Sequence, residues 1–217
     1  MNRLLRIFSL QLVSAMLVTI MLSIGCNTPF TPRPKGYFTV DLPEKEYRVF
    51  DSAGFPYSFE YPTYATIVPE SDSASQQPYW INIDFKEFNG RIYISYKPIQ
   101  GQSIYKVKTS TGYRDSVVQN SFEQLREESY KLTYKHTVRA SAIVDSFFTN
   151  PNGVSGIFFY VAGNAATSKQ FFVTDTSRHF LRAALYFDAT PNEDSLSMTS
   201  EFIARDMRHL INTFRWK

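Results

Sequence analysis

The chain has 217 residues, 43% of them hydrophobic and 20% charged, which excludes a disordered tail, a collagen-like repeat and a multi-span membrane protein and suits one globular body. Its 19 Phe, 14 Tyr and 2 Trp favour strands and a core rich in rings. The net charge of +3 includes Arg3 and Arg6, and without them 21 basic residues face 20 acidic ones, which is no footprint for nucleic acid.

Met1 to Arg6 is basic, and Ile7 to Leu22 is apolar apart from residues such as Ser9, Gln11, Ser14 and Thr19. This reads as a secretory signal peptide over residues 1–25, in preference to a transmembrane anchor, which needs about 20 apolar residues. Leu22-Ser23-Ile24-Gly25-Cys26 resembles a bacterial lipobox, although Ser23 stands where common lipoboxes place Leu. Cys26 is the only cysteine, and a lipid thioether accounts for an odd cysteine in an exported chain without a partner thiol. The expected organisation is a lipidated cysteine and Pro-rich tether over 26–36, then a single domain over 37–217. No acidic run follows Cys26, so the body is expected to face the periplasm.

Along the body, Tyr37 to Leu42 and Tyr57 to Pro62 read as strands, and Glu70 to Pro78 as a surface loop. Trp80 to Lys86 and Arg91 to Lys97 alternate, and Asn89-Gly90 between them predicts a two-residue hairpin loop. That loop sets Phe88 opposite Arg91, Phe85 opposite Ile94, Ile83 opposite Tyr96 and Asp84 opposite Ser95. A helix is predicted from about Asp115, as N-cap, to about Tyr134, because Val118, Phe122, Leu125, Ser129 and Leu132 share a face. Strands follow at Thr137 to Phe148, Val154 to Ala162, Lys169 to Asp175 and His179 to Asp188. In the last, Leu181, Ala183, Leu185 and Phe187 share one face, and Phe180, Arg182, Ala184 and Tyr186 the other. A closing helix from about Ser197 to Thr213 carries the stripe Phe202, Ile203, Met207, Leu210, Ile211 and Phe214.

Hairpin-length connections and the lack of βαβ alternation give an α+β fold, an antiparallel sheet packed with two main helices. The element order resembles the PsbP/Mog1 type of sandwich, a likeness that fixes no function.

Chemistry is harder to find. There is no Gly-x-Ser-x-Gly elbow, no phosphate-cradling glycine loop and no zinc-ligand spacing. His136 and His179, at strand starts, and His209, on the polar shoulder of the last helix, read as structural or surface histidines. Glu127 and Glu128 read as a solvated helix face. The crowd of Tyr37, Tyr47, Tyr57, Tyr61, Tyr64, Tyr79 and Trp80 reads as core filling ahead of a carbohydrate or peptide surface. No catalytic residue, cofactor or metal is expected, and the lipidation site Cys26 is the one site residue.

Several segments resemble the gliding motility lipoprotein GldD family of the Bacteroidota. They include Pro34-Lys35-Gly36-Tyr37-Phe38, Asp41-Leu42-Pro43-Glu44-Lys45, Phe59-Glu60-Tyr61-Pro62, Phe88-Asn89-Gly90-Arg91, Gln170-Phe171-Phe172-Val173-Thr174-Asp175, His179-Phe180-Leu181-Arg182 and Thr213-Phe214-Arg215-Trp216-Lys217. The resemblance implies a lipid-anchored, non-enzymatic protein needed for gliding and associated with type IX secretion. It would assemble or scaffold partner proteins of the envelope machinery, at the outer membrane facing the periplasm. Phe88 to Arg91 and the Arg215-Trp216-Lys217 end are candidate partner contacts. The alternative is a periplasmic ligand-binding or cell-wall-processing lipoprotein. A pocket lined by a His and a carboxylate with perturbed acidity favours the alternative, and an exposed apolar patch favours the first.

Overall fold

Alternation of apolar and polar residues lays out most of the strands. In the computed structural model, residues 41–70 and 78–217 are described, together with positions 12, 14 and 16. The fold lies in the unit Val40–Lys217. Its elements are β1 (Tyr47–Phe50), β2 (Tyr57–Pro62), β3 (Thr66–Pro69), β4 (Ile81–Phe85), β5 (Gly90–Pro98), β6 (Gln102–Thr109), β7 (Gly112–Gln119), α1 (Phe122–Tyr134), β8 (Ala140–Thr149), β9 (Ser155–Gly163), β10 (Thr167–Thr174), β11 (His179–Phe187), α2 (Glu193–Thr213) and β12 (Arg215–Trp216). A seven-stranded sheet runs β3-β4-β5-β11-β10-β9-β8, a three-stranded one β1-β2-β12, and β6-β7 form a separate ribbon. Every pairing is antiparallel, so the α+β expectation holds.

The large sheet is covered on both faces. One face presents Ile81, Ile83, Phe85, Ile92, Ile94, Leu181, Ala183, Leu185, Phe171 and Val173, which pack against α2 and the small sheet. All six stripe residues of the closing helix are buried there. Each such side chain contributes about 1.5–3 kcal/mol of apolar transfer before the entropy of ordering is charged against it. The opposite face carries Phe159, Phe172 and Phe180, and α1 covers it with Leu125, Phe122 and Tyr130.

Several boundaries depart from expectation. β5 pairs with β4 as Phe85 with Gly90, Asp84 with Arg91 and Ile83 with Ile92, four residues from the predicted register. Lys86–Phe88 makes a 3-10 turn, after which Asn89 sits at a left-handed φ of 47° and donates its N–H to Lys86 O at 3.3 Å. The physical reason is Phe88, whose ring leaves the ladder to lie 5.7 Å from Phe202 and 6.3 Å from Tyr64. Because the offset is even, every side chain keeps its predicted face.

The first helix begins at Phe122 rather than near Asp115. Ser121 is its N-cap, and Gln124 completes a capping box by accepting from the Ser121 N–H at 3.1 Å. Asp115 and Val118 lie instead in β7, paired with Lys106 and Ser103. The β6-β7 ribbon was not foreseen: its Ile104, Val107, Tyr113 and Val117 stay exposed, so no buried face imposes a readable pattern. β8 starts at Ala140 because Lys135–Val138 turns as a 3-10 helix, which also takes His136 out of the strand. Of the predicted Tyr37 to Leu42 strand, Asp41 and Leu42 are not in a strand and the rest lies outside the described residues; β1 instead takes up Tyr47–Phe50. The Glu70 to Pro78 loop and Cys26 likewise fall on or across residues outside the description.

The aromatic crowd of the first third is mostly core, with Tyr57 and Tyr61 buried, Tyr47, Tyr64 and Trp80 half-buried, and Tyr79 exposed. The chain end is built into the fold: Trp216 pairs with Tyr57 in the small sheet, and its ring stacks on His179 at 5.0 Å. Lys217 donates its N–H to Pro56 O at 3.0 Å and pairs with Asp51. Trp216 is therefore committed internally rather than free for a partner.

Candidate functional site

Sheet register brings the polar side chains of the α1 face into rows. Asn82 stands beside Tyr93, which stands beside Ala184 and then Gln170, and the neighbouring row holds Ser95, Arg182 and Phe172. The helix α1 covers the β9 to β11 side of this face, and a groove of about 220 Å³ remains between it and β4 and β5. Leu125, Leu132 and Phe180 supply an apolar wall, while Asn82, Lys97, Glu128 and Arg182 bring polar groups to it.

Glu128, read as solvated from sequence, reaches back over the sheet to accept two hydrogen bonds from Lys97 Nζ, at 2.8 and 3.1 Å. Arg182 donates to Gln170 Oε1, which also accepts from Thr133 Oγ1 at 3.2 Å. Burial pulls the Arg182 guanidinium below its ordinary pKa, opposed by Tyr186 and Glu128. Asn82 donates to Glu70 Oε2 at 3.0 Å, while its buried Oδ1 has no hydrogen-bond partner, and neither does the buried Gln170 Nε2.

A second, open depression of about 680 Å³ lies at the end of the same face. Here Arg91 grips Asp84 through Nε at 2.5 Å and Nη2 at 2.9 Å, beside the edge-to-face rings of Tyr93 and Tyr186. Of the Phe88 to Arg91 contact candidate, Phe88 is packed inward and Gly90 is in the ladder, which leaves Asn89 and Arg91 at this surface.

The nearest approach to a nucleophile and base is Ser200 with Lys169. Lys169 Nζ is 3.4 Å from Ser200 Oγ, and Ser168 Oγ is 2.5 Å from the same oxygen. Lys169 is only 2% exposed, and burial lowers its pKa, but Glu201 Oε1 at 2.9 Å holds the proton on it. Glu201 is pulled upward by burial, yet the Tyr160 hydroxyl and Lys169 outweigh this and keep it ionised below its usual value. Tyr160 in turn is pushed up to about 12 by that hydrogen bond and by burial. With its ammonium engaged by Glu201, Lys169 is poorly placed to take the Ser200 proton, and the cluster reads as an ion pair between a buried lysine and a partly exposed carboxylate.

Two of the histidines are tied into the fold. His209 Nε2 lies 2.7 Å from Glu60 and its ring stacks on Tyr47 at 3.6 Å. His179 Nδ1 is 2.8 Å from the Tyr96 hydroxyl. Burial lowers the pKa of His179 against the pull of Asp175, and lowers that of His136 with help from Arg182. A folded state that resists protonation loses stability as pH falls through about 6.5, because the unfolded chain then binds protons the folded one does not. The urea midpoint should therefore drop between pH 7.5 and 5.5, and H179Q should shrink that drop. An unchanged difference in H179Q would remove this ring from the account.

None of the cavities described above is lined by a histidine, and among the described residues no group of His, Cys, Asp and Glu could hold a metal ion. No helix among the described residues is long and apolar enough to cross a membrane.

No curated protein sequence matches the chain. A solution structure of cyanobacterial PsbP (CyanoP) from Synechocystis sp. PCC 6803 is similar at a TM-score of 0.38 and 9% identity, over 83% of this chain and 98% of that one. The family model of the gliding motility lipoprotein GldD matches residues 27–216, nearly the whole body described above. The chain thus belongs to the gliding motility lipoprotein GldD family.

Proposed function

We propose that this protein is a non-enzymatic scaffold of the gliding and type IX secretion machinery, held at the outer membrane by acyl chains on Cys26 with its body in the periplasm. Residues 1–25 serve as the signal peptide, 26–36 as lipidated tether and 37–217 as the working domain. Membership of a motility lipoprotein family supports the role, and the locked Ser200, Lys169 and Glu201 cluster supports a role without catalysis.

The observation that carries a scaffolding role is the outer edge of the large sheet. β8 is ten residues long and, among the described residues, pairs only on its β9 side. Along it Phe147 is 72% exposed and Val144 is 60% exposed, with Asp145 as the single charge and no Lys or Pro to blunt the ladder. Such an edge accepts an extended strand of a partner protein through main-chain hydrogen bonds, with the apolar side chains adding grip.

The test is deletion of the gene in its own host, followed by complementation with the parent, with Cys26→Ala and with Val144→Lys/Phe147→Lys. Gliding and the secreted protein profile should be lost on deletion and restored only by the parent. The double lysine variant should fold with a stability within about 0.5 kcal/mol of the parent, since both side chains are exposed. Full function of that variant would remove β8 as the contact, and full function of the unlipidated variant would remove the anchor.

A further inference from the structure

The groove beneath α1 holds a cation that, among the described residues, has no carboxylate at ion-pair distance, Glu128 acting on it only from farther off. Elsewhere the buried and half-buried lysines each meet a carboxylate: Lys45 meets Asp206, Lys169 meets Glu201 and Lys97 meets Glu128. Arg182 is different. It sits mid-sheet on β11, its hydrogen-bond partner is the neutral amide oxygen of Gln170, and among the described residues no carboxylate lies within ion-pair distance of it. Arg182 is half-buried, and a guanidinium held partly out of water is better satisfied by an anion at hydrogen-bond distance than by a neutral amide alone.

Two further groups on the same face are incomplete. Asn82, only 4% exposed and part of the groove wall, has an acceptor oxygen without a donor, and Gln170 has an amide nitrogen without an acceptor. By sheet geometry Asn82 and Arg182 are two strands and one row apart, about 12 Å between Cα atoms, a gap that an extended Arg side chain halves. Leu125, Leu132 and Phe180 line the space beside them. The volume of about 220 Å³ is smaller than a drug-sized or nucleotide pocket and equals the liquid share of about seven waters, room for one amino-acid residue.

We propose that this groove binds a monocarboxylate with an adjacent N–H and an apolar body, the pattern shared by the last residue of a peptide and by an N-acylated amino acid. The carboxylate sits on Arg182, whose planar fork matches it in two parallel hydrogen bonds. The N–H donates to Asn82 Oδ1, and the apolar side chain lies against Leu125, Leu132 and Phe180. Lys97 is already neutralised by Glu128, and with Glu70 also at the rim a doubly charged phosphate would meet two carboxylates and one available cation. The inference stands apart from the anchoring and partner reading, since neither Cys26 nor β8 takes part.

The experiment is titration of the full-length protein in detergent with N-acetyl-L-leucine, N-acetyl-L-leucinamide, a hexapeptide ending in free leucine, and the same hexapeptide amidated, followed by calorimetry and amide chemical shifts. N-acetyl-L-leucine should bind, with shifts centred on β4, β11 and α1, and the amide should bind at least about tenfold more weakly. Arg182→Gln should lose at least the same factor. Leu132→Trp, which fills the groove from a half-buried helix position, should abolish binding with the fold intact, and it decides the matter if the Arg182 variant does not fold. If the free hexapeptide matches the acetylated residue, the source is a peptide C-terminus, and if it is excluded, the source is a small free acid. Equal binding of acid and amide, undiminished binding by Leu132→Trp, or no response to any of the four probes at 10 mM would overturn the proposal.

Discussion

Phe214→Ala is expected to lower the unfolding free energy by about 3–5 kcal/mol, the range for emptying a fully buried phenylalanine site. Phe214 has no solvent exposure and closes α2, where the chain turns from helix to the extended β12. Its ring stacks on Tyr57 at 5.9 Å and on Phe59 at 6.4 Å, and meets Trp216 edge-on at 4.7 Å. Its carbonyl accepts from Asn150 Nδ2 at 2.7 Å and Asn152 Nδ2 at 3.0 Å, so the loop between β8 and β9 is fastened to the same residue. A collapse around the cavity would have to move the small sheet, and the hydrogen-bonded backbone opposes that. Urea denaturation read by tryptophan fluorescence measures the loss. A change below about 1 kcal/mol would mean that the small sheet repacks freely and that Phe214 is not the joint between layers.

Asp206→Ala should cost about 3 kcal/mol, the lower end for breaking a buried charge pair because Lys45 remains a quarter hydrated. The Asp206 carboxylate is 2% exposed on α2 and accepts from Lys45 Nζ at 2.5 Å, from the Tyr47 hydroxyl at 2.9 Å and from the Tyr64 hydroxyl. Those donors lie ahead of β1, in β1 and between β2 and β3, so one carboxylate fastens three places in the first quarter of the fold to the last helix. Burial first, and Asp206 second, hold both tyrosines above their ordinary pKa and so in the hydroxyl form that donates. Lys45 also stands 3.6 Å over the Phe202 ring. Asp206→Asn keeps an acceptor for the hydroxyls but loses the charge opposite Lys45, and should fall between alanine and the parent. Thermal melts of the three proteins compare them directly, with Tm expected to fall by roughly 6–12 °C for alanine. An asparagine variant as unstable as alanine would place all of the effect in the charge.

How much of this protein is legible in one dimension follows from what a repeat in sequence encodes. The stripe of α2 was readable residue by residue because burial on one side imposes a period of 3.6, and the two faces of β11 followed from the period of two that every strand has, although β11 is buried from both sides. The absence of any nucleotide or zinc motif was readable for the same local reason, since those chemistries need fixed spacings. What pairs with what was not. The β4-β5 register turns on Phe88 meeting Phe202, a residue more than a hundred positions away, and no turn rule carries that distance. The start of α1 passed from Asp115 to Ser121 because the preceding residues found ladder partners in β6, and a strand exposed on both faces leaves no period to read.

The same division holds for the sites. Sequence alone assigned Arg182 to the face opposite Leu181, a local property of the chain. Only the tertiary structure decided that α1 covers Arg182 without bringing a carboxylate to ion-pair distance among the described residues, that Glu128 pairs with Lys97, and that Asp206 draws its donors from 142 to 161 residues away. Periodicity reports which side chains leave water together. Whether a buried charge then finds a partner depends on how separate elements pack, and that is settled by the summed burial of the whole core rather than by any stretch of it.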